Sequence, residues 1–180
     1  MNSLPPVLGF AAFSGTGKTT LLTQLIPLLR EHGLRIGLIK RSHHTFEIDK
    51  PGKDSYLLRQ AGAVQVVVAS AKRTALIRQH NLEPPLEDLL QCLQTNPLDI
   101  ILVEGFKYQA IPKLELHRPS LGYPLLCRTD LAVIAVATDT PLREEVLVPV
   151  LDLNDVATIA RFVQDWLLTI RSRPNLAPPA

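Results

Sequence analysis

The sequence predicts an α/β fold in which a mostly parallel sheet has helices on both faces and carries additional antiparallel strands. The first observation is that short apolar runs typical of buried strands alternate with segments of helical period along the chain. Alternation of this kind favours parallel strands joined by helices that cross the faces of the sheet. The second observation is a strand-rich middle region, which interrupts the alternation and therefore adds the antiparallel strands.

Length and composition restrict the class of protein. A chain of 180 residues with 46% hydrophobic and 20% charged residues is expected to form one globular domain, at 1–170, followed by a flexible tail at 171–180. The 19 basic and 17 acidic residues nearly balance, so no nucleic-acid partner is expected. No apolar run is long enough to cross a membrane and the N-terminus lacks a signal-peptide pattern, so we expect a cytoplasmic protein without a membrane partner.

The first third of the chain predicts two buried strands and a helix between them. Val7–Ala12 is an apolar run bounded by Pro6 and Ser14, as expected of a buried strand. Leucine and isoleucine side chains at helical spacing follow it and predict a helix that ends at Gly33. Pro27 lies inside that helix and should kink it or loosen one turn. Residues 35–39 form the second predicted strand.

The middle third predicts shorter elements with more turns between them. A polar segment over 40–54 leads to a short helix at 55–61, which Gly62 ends. Residues 64–69 are predicted as a strand, and residues 74–78 should pair beside them as a hairpin.

In the last third, three elements follow from the apolar pattern alone: a helix at 86–93 and buried strands at 99–103 and 131–137. Residues 113–117 alternate apolar and polar side chains, which predicts a half-exposed antiparallel strand. The last amphipathic helix begins after Asn154 or Asp155, either of which could cap it.

A phosphate-binding loop is predicted between the first strand and the first helix. Residues 12–19 read Ala-Phe-Ser-Gly-Thr-Gly-Lys-Thr, which matches the P-loop pattern except that alanine replaces the first glycine. The glycines let successive N–H groups point at phosphate oxygens beside the positive end of the helix. Lys18 would reach the β- and γ-phosphates, and the Thr19 hydroxyl would complete the coordination of Mg²⁺. The predicted nucleotide-binding residues of the loop are Ser14, Gly15, Thr16, Gly17, Lys18, Thr19 and Thr20.

This motif makes the predicted fold P-loop NTPase-like, and a second acidic group is then expected at the end of a neighbouring strand. Glu104 and Gly105 follow the apolar run that ends at Val103. Glu104 could order the magnesium ion through water or polarise a water near the γ-phosphate, so it is the predicted catalytic residue and a metal-site residue. Gly105 could bring a backbone N–H to the phosphate. The alternative is that Glu104 only forms an ion pair with Lys107 or caps the end of the strand.

The polar segment at 40–55 follows a parallel strand, which is where open α/β sheets bind ligands. Asp49 could contact Mg²⁺ or its waters, and Lys53 could bind a second anionic group. The alternative is a solvated surface loop. His43 and His44 do not predict a transition-metal site, because adjacent side chains point apart and no third ligand has suitable spacing.

The base-reading residue is not fixed by a motif, since the Asn-Lys-x-Asp element of many GTP-binding proteins is absent. Asp139 follows a buried strand at the corresponding place and is the predicted guanine reader. Asn154 and Asp155 are alternatives, although either could serve only as a helix cap.

These motifs resemble the MobB family of molybdopterin-guanine dinucleotide biosynthesis adapter proteins. Five blocks carry the resemblance, at 13–20, 37–44, 49–56, 102–107 and 151–156. The resemblance implies a protein that binds GTP and Mg²⁺ and has weak GTPase activity. It also implies that the protein acts together with a MobA-like molybdopterin guanylyltransferase and that molybdopterin is a further ligand. Finally, it implies a homodimer formed through extended strands, which would account for the antiparallel-looking segment at 113–117.

Two functions remain open at this stage. An adapter would hydrolyse GTP slowly, because the sequence offers no evident arginine finger or dedicated base beside the P-loop. A P-loop small-molecule kinase or general NTPase would instead use Asp49 or Glu104 as a base toward a hydroxyl. The absence of an arginine-rich lid segment speaks against the second function.

Overall fold

The structure is a computed structural model that describes residues 4–42, 46, 48–94 and 97–172. Its contacts divide the chain into two compact units, which are described separately. The first unit comprises the described parts of 1–41 and 89–180, and the second comprises the described parts of 42–88. The predicted tail falls mostly outside the described residues, and its first two residues belong to the last helix.

The strands are, in chain order, β1 (Val7–Ala12), β2 (Ile36–Lys40), β3 (Gln65–Ala69), β4 (Thr74–Arg78), β5 (Ile100–Glu104), β6 (Lys113–His117), β7 (Val133–Thr138) and β8 (Val150–Asp152). The α-helices are α1 (Lys18–Glu31), α2 (Asp54–Gln60), α3 (Leu86–Cys92) and α4 (Val156–Ser172). Short 3₁₀ turns occupy Pro119–Leu121 and Leu126–Arg128. No helix in the described part of the chain combines the length and apolar character that a membrane crossing requires.

A six-stranded sheet forms the centre of the first unit, in the order β2-β5-β1-β6-β7-β8. All five neighbouring pairs in it are parallel. The antiparallel strands are confined to a separate two-stranded sheet, β3-β4, in the second unit. The predicted fold class, a mostly parallel sheet with helices and additional antiparallel strands, is therefore confirmed.

The main core lies between one face of this sheet and helices α1 and α4. Each helix places four buried side chains there, and the strands contribute alternate residues such as Leu8, Phe10 and Leu102. Helix α1 continues through Pro27, which lacks the N–H of one helical hydrogen bond. On the other face, Leu93 and Leu98 lie so close to Gly37 that a Cβ there would meet the Leu98 methyl at 2.7 Å.

The prediction of a half-exposed antiparallel strand at 113–117 is wrong. Strand β6 lies inside the sheet, parallel to both β1 and β7, and all five of its residues are buried. It therefore offers no free edge, and the suggestion that this segment accounts for a homodimer is also wrong. The sequence analysis also missed β8, which has only three residues.

The physical reason is that the polar residues of β6 are buried with partners. The Lys113 ammonium donates to two backbone carbonyls, at 2.6 and 3.0 Å, and forms an ion pair with Asp130. The Glu115 carboxylate accepts the backbone N–H groups of Leu126 and Cys127 at 2.7 and 2.8 Å. An alternation of polar and apolar residues usually indicates one wet face, but here internal hydrogen bonds and an ion pair replace the water.

Candidate functional site

The parallel direction of the six strands brings the residues that follow them to one edge of the sheet. The phosphate loop follows β1, and five side chains lie at or just after the ends of the other strands: Lys40, Glu104, Arg118, Asp139 and Asn154. Ligands of open α/β sheets bind at this edge. The structure thus brings Glu104, Gly105 and Asp139, predicted separately along the sequence, to the same edge as residues 14–20.

The loop has the backbone conformation that its glycines allow. Gly15 and Gly17 have φ angles of 79° and 93°, in the left-handed region that glycine adopts without strain. The Thr16 hydroxyl is buried and donates to the carbonyl of Phe13 at 2.9 Å, so it stabilises the turn. Gly17 is the N-cap of α1, which has no side-chain cap and no acidic residue in its first turn. The first N–H groups of α1 are therefore available to an anion.

Lys18 lies across the loop and adds positive charge to it. Its ammonium donates to the carbonyls of Ala12 and Phe13, both at 3.3 Å. Burial lowers the pKa of Lys18 from its ordinary value, Glu104 raises it, and two neighbouring lysines, Lys107 and Lys40, lower it further. Lys18 therefore has two other ammonium groups and one carboxylate among its charged neighbours, which leaves an excess of positive charge suited to a polyanion.

Glu104 ends β5 beside the last residue of β2. Glu104 is 9% exposed, and its carboxylate forms an ion pair with Lys40, at 3.2 Å between Nζ and Oε2. The partner is thus Lys40 and not Lys107, which the sequence analysis had offered as the alternative. Lys107 instead places its ammonium over the rings of Phe13 and Tyr108, at 4.2 and 4.8 Å from their centroids.

Gly105 has a φ of 95° and lies tightly against the chain after β2. A Cβ on Gly105 would meet the Arg41 Cβ at 2.7 Å and its carbonyl oxygen at 3.0 Å. The Arg41 N–H in turn donates to the carbonyl of Glu104 at 2.9 Å. These contacts fix the backbone that carries the Glu104 carboxylate, and only glycine fits there.

Sequence reasoning missed Arg118, which contacts the loop directly. Its Nε donates to the carbonyl of Thr16 at 2.9 Å, and its Nη1 donates to Asp139 Oδ2 at 2.5 Å. It was missed because 113–117 was assigned to an antiparallel strand, which would not have ended at this edge of the sheet. The only available signal was its position directly after an alternating run.

A cavity of about 150 Å³ opens beside the loop, at the start of α1 and of α4. It is lined by Gly17, Thr20, Leu21, Gln24, Arg118, Leu153, Asn154 and Val156. Asp155 caps α4, since its Oδ1 accepts the N–H of Thr158 at 2.9 Å and its Oδ2 accepts the hydroxyl. Of the two alternative base readers, Asn154 therefore lines the cavity, whereas Asp155 serves as the helix cap.

The remaining predicted residues belong to the second unit. Both oxygens of Asp49 accept hydrogen bonds from Arg59, each at 3.0 Å, and this contact lowers the pKa of Asp49. Lys53 is the residue before α2, and the ligand roles of Asp49 and Lys53 stay predictions. His43 and His44 lie outside the described residues. Among the residues that are described, no three His, Cys, Asp or Glu side chains converge as a metal site.

The residues at the sheet edge fit a nucleotide with Mg²⁺ better than a metal held by protein alone. The uncapped N-terminus of α1 and the surplus of ammonium groups match phosphate oxygens. Magnesium needs only one or two protein oxygens when phosphates supply others, and Thr19 and Glu104 are the oxygen-bearing candidates.

Comparison with known proteins adds an independent result. The model of the family described as MobB, molybdopterin guanine dinucleotide synthesis protein B, matches residues 7–139. The chain is 51% identical over 165 residues to the molybdopterin-guanine dinucleotide biosynthesis adapter protein of Escherichia coli (strain K12), covering 90% of this chain and 93% of that protein. It is 42% identical over 167 residues to the adapter protein of Haemophilus influenzae (strain ATCC 51907 / DSM 11121 / KW20 / Rd), covering 93% and 92%.

Solved structures show the same fold. The crystal structure of a MobB protein homologue from Bacillus stearothermophilus superposes with a TM-score of 0.69 at 24% identity, covering 91% of this chain and 98% of that one. The resemblance drawn from the five sequence blocks is thus confirmed by a family model over most of the chain and by close relatives. The chain belongs to the MobB family.

Proposed function

We propose that this protein is a GTP-binding adapter that assists the attachment of GMP to molybdopterin during molybdopterin-guanine dinucleotide biosynthesis. The relatives from Escherichia coli and Haemophilus influenzae are named as adapters of that biosynthesis. The observation that carries nucleotide binding is the phosphate loop, with two left-handed glycines, an uncapped α1 and the Lys18 ammonium folded across it.

In this proposal, the loop N–H groups and Lys18 hold the phosphates, while the Thr19 hydroxyl and Glu104 hold the magnesium ion or its waters. The bound ion would neutralise charge on the phosphate oxygens. Gly105 would bring a backbone N–H to the phosphate, and its close contacts with Arg41 fix the backbone at this place. The base would lie near Asp139 and the cavity that Asn154 lines.

Hydrolysis is expected to be slow for reasons visible at the site. Glu104, the best-placed carboxylate, is held in an ion pair with Lys40, so it is not free to orient an attacking water in this arrangement. Arg118 is engaged by Asp139 and Thr16, so it does not act as an arginine finger in this arrangement. These contacts support a protein that binds GTP over one that hydrolyses it efficiently.

The same proposal includes a MobA-like guanylyltransferase as the protein partner, molybdopterin as a further ligand and a cytoplasmic location. It also includes a homodimer, now through β3 and β4. Val67 and Leu76 face each other across this hairpin, yet they are 59% and 40% exposed. Both strands are also edge strands, and a two-stranded sheet alone is marginally stable. These features support a second copy of the chain as the group that covers the hairpin.

The deciding experiment is calorimetric binding of GTP, GDP and ATP with Mg²⁺ to the full chain and to Lys18→Ala. We expect guanine preference in the native protein and loss of GTP binding in the variant, since the loop then lacks its ammonium group. Lys72→Ala, in the exposed turn of the β3-β4 hairpin, is the matched control and should bind normally. Unchanged GTP affinity in Lys18→Ala would remove the phosphate loop from the site.

Phosphate release on the same samples tests the role of Glu104. We expect turnover below the typical enzyme range of about 1–10³ s⁻¹, and lower still in Glu104→Gln, with GTP affinity little changed. Release that is equally fast in Glu104→Gln would exclude this carboxylate from catalysis. Fast turnover that depends on a small hydroxyl acceptor would favour the kinase alternative instead.

A further inference from the structure

Arg118 connects three parts of the first unit that are distant in sequence. It follows β6, its Nε donates to the Thr16 carbonyl in the phosphate loop, and its Nη1 donates to Asp139 after β7. Its remaining terminal nitrogen, Nη2, lies 3.6 Å from where a Cβ on Gly17 would be. One planar guanidinium group therefore links the phosphate loop to the predicted guanine reader.

The two carboxylate oxygens of Asp139 differ in their hydrogen bonding. Oδ2 accepts the hydrogen bond from Arg118, whereas Oδ1 is buried and has no hydrogen-bond partner among the described residues. A buried acceptor without a partner is costly, so it indicates a donor that arrives with a ligand. Guanine presents two donor groups, N1–H and the 2-amino group, on one edge. Adenine presents an acceptor at N1, which a carboxylate repels.

Arg118 also forms part of the wall of the cavity beside the loop, together with Thr20 and Asn154. A guanidinium plane can stack on an aromatic base as well as donate hydrogen bonds in fixed directions. The arginine side chain is one-third exposed, so it is accessible from this cavity while its Nε and Nη1 stay engaged.

We infer that Arg118 is a positioning residue for base specificity. It holds Asp139 at a fixed place relative to the phosphate loop, so that Oδ1 can accept hydrogen bonds from guanine while the loop holds the phosphates. The inference rests on the proposed GTP binding and deepens it, because it assigns guanine preference to a pair of residues and not to Asp139 alone. Removing either member should then cost the same preference.

The test compares GTP with ATP affinity, with Mg²⁺, in the native chain, Arg118→Gln, Asp139→Asn and the double variant. We expect each single variant to lower the GTP-over-ATP preference about tenfold, as the loss of one charged hydrogen bond would. ATP affinity should change little. The double variant should match the single ones, because both residues act through one contact. Arg128→Gln, whose arginine pairs with Glu144 and does not line the cavity, is the control and should keep the preference.

The outcomes separate this inference from the proposed function. If Arg118→Gln weakens GTP and ATP in equal proportion, Arg118 only supports the loop and the inference is overturned. The inference also fails if the two single effects multiply in the double variant. A native protein without guanine preference would refute the proposed function itself. If Arg118→Gln does not fold, Arg118→Lys keeps the charge but not the two-directional hydrogen bonding, and it should show the same loss of preference.

Discussion

At the scale of single residues, the buried ion pair of Lys113 and Asp130 makes a prediction about stability. Lys113 is 1% exposed, whereas the side chain of Asp130 is 26% exposed. Asp130→Asn leaves a buried ammonium with only neutral acceptors, so it should lower the free energy of unfolding by about 3–5 kcal/mol. Lys113→Met leaves a carboxylate that water can reach, so we expect a smaller loss. Urea unfolding at neutral pH checks this order.

A double variant with Asp130→Asn and Lys113→Met tests the same ion pair further. Replacing both partners removes the uncompensated charge, so the double variant should lose less stability than the sum of the single variants. Additive losses, or a larger loss for Lys113→Met than for Asp130→Asn, would contradict the assignment of Lys113 as a buried cation.

Single residues also show which parts of the site could be predicted from the sequence and which could not. The loop at 12–19 was predictable because its signal is local: glycines, lysine and threonine at fixed spacing between a strand and a helix. The link from Arg118 to Thr16 spans 102 residues and exists only because β6 lies beside β1. No local pattern contains that information, so Arg118 needed the structure.

At the scale of elements, the positions of most strands were predicted well, but the burial of a strand whose polar residues have internal partners was not. Strands β1 and β4 have the predicted bounds, and the hairpin that includes β4 is present. Strand β6 has the predicted bounds but the opposite burial, because Lys113 and Glu115 find their partners in the loops after β5 and β6. Its place between β1 and β7 is a long-range property that periodicity does not carry.

One carboxylate connects three elements and gives a pH-dependent prediction. Asp99 precedes β5 and binds Arg35 before β2, through both its guanidinium and its N–H, and Arg171 at the end of α4. Hydrogen bonds from Arg35 lower the pKa of Asp99 to about 2, and Arg171 adds to the effect. The ordinary aspartate pKa is about 3.9, so the unfolded chain binds this proton more readily. The stabilisation is therefore full above about pH 4 and is lost as the pH falls toward 2.

Asp99→Asn should thus destabilise the protein by about 1 kcal/mol at neutral pH, a value reduced for the solvent exposure of the arginines. The difference from the native protein should shrink between about pH 4 and pH 2. Asp165→Asn, at an exposed position on α4 with no ion pair among the described residues, is the control. Urea unfolding across this pH range is the measurement, and a difference that stays constant would contradict the ion-pair account.

At the scale of the whole molecule, the proposed homodimer makes a prediction about the exposed hairpin. A solvent-exposed apolar pair on a sheet with two open edges is a surface that another chain can cover by strand pairing and by burial of the same side chains. We expect the native protein to sediment as a dimer and the Val67→Glu, Leu76→Glu double variant to sediment as a monomer, because paired carboxylates at the contact repel. Leu147→Glu introduces the same charge at a fully exposed position of the first unit and should leave the dimer intact. A native monomer at every concentration tested would mean that a second copy does not cover the hairpin. A dimer that survives both substitutions would mean that a different surface forms the dimer.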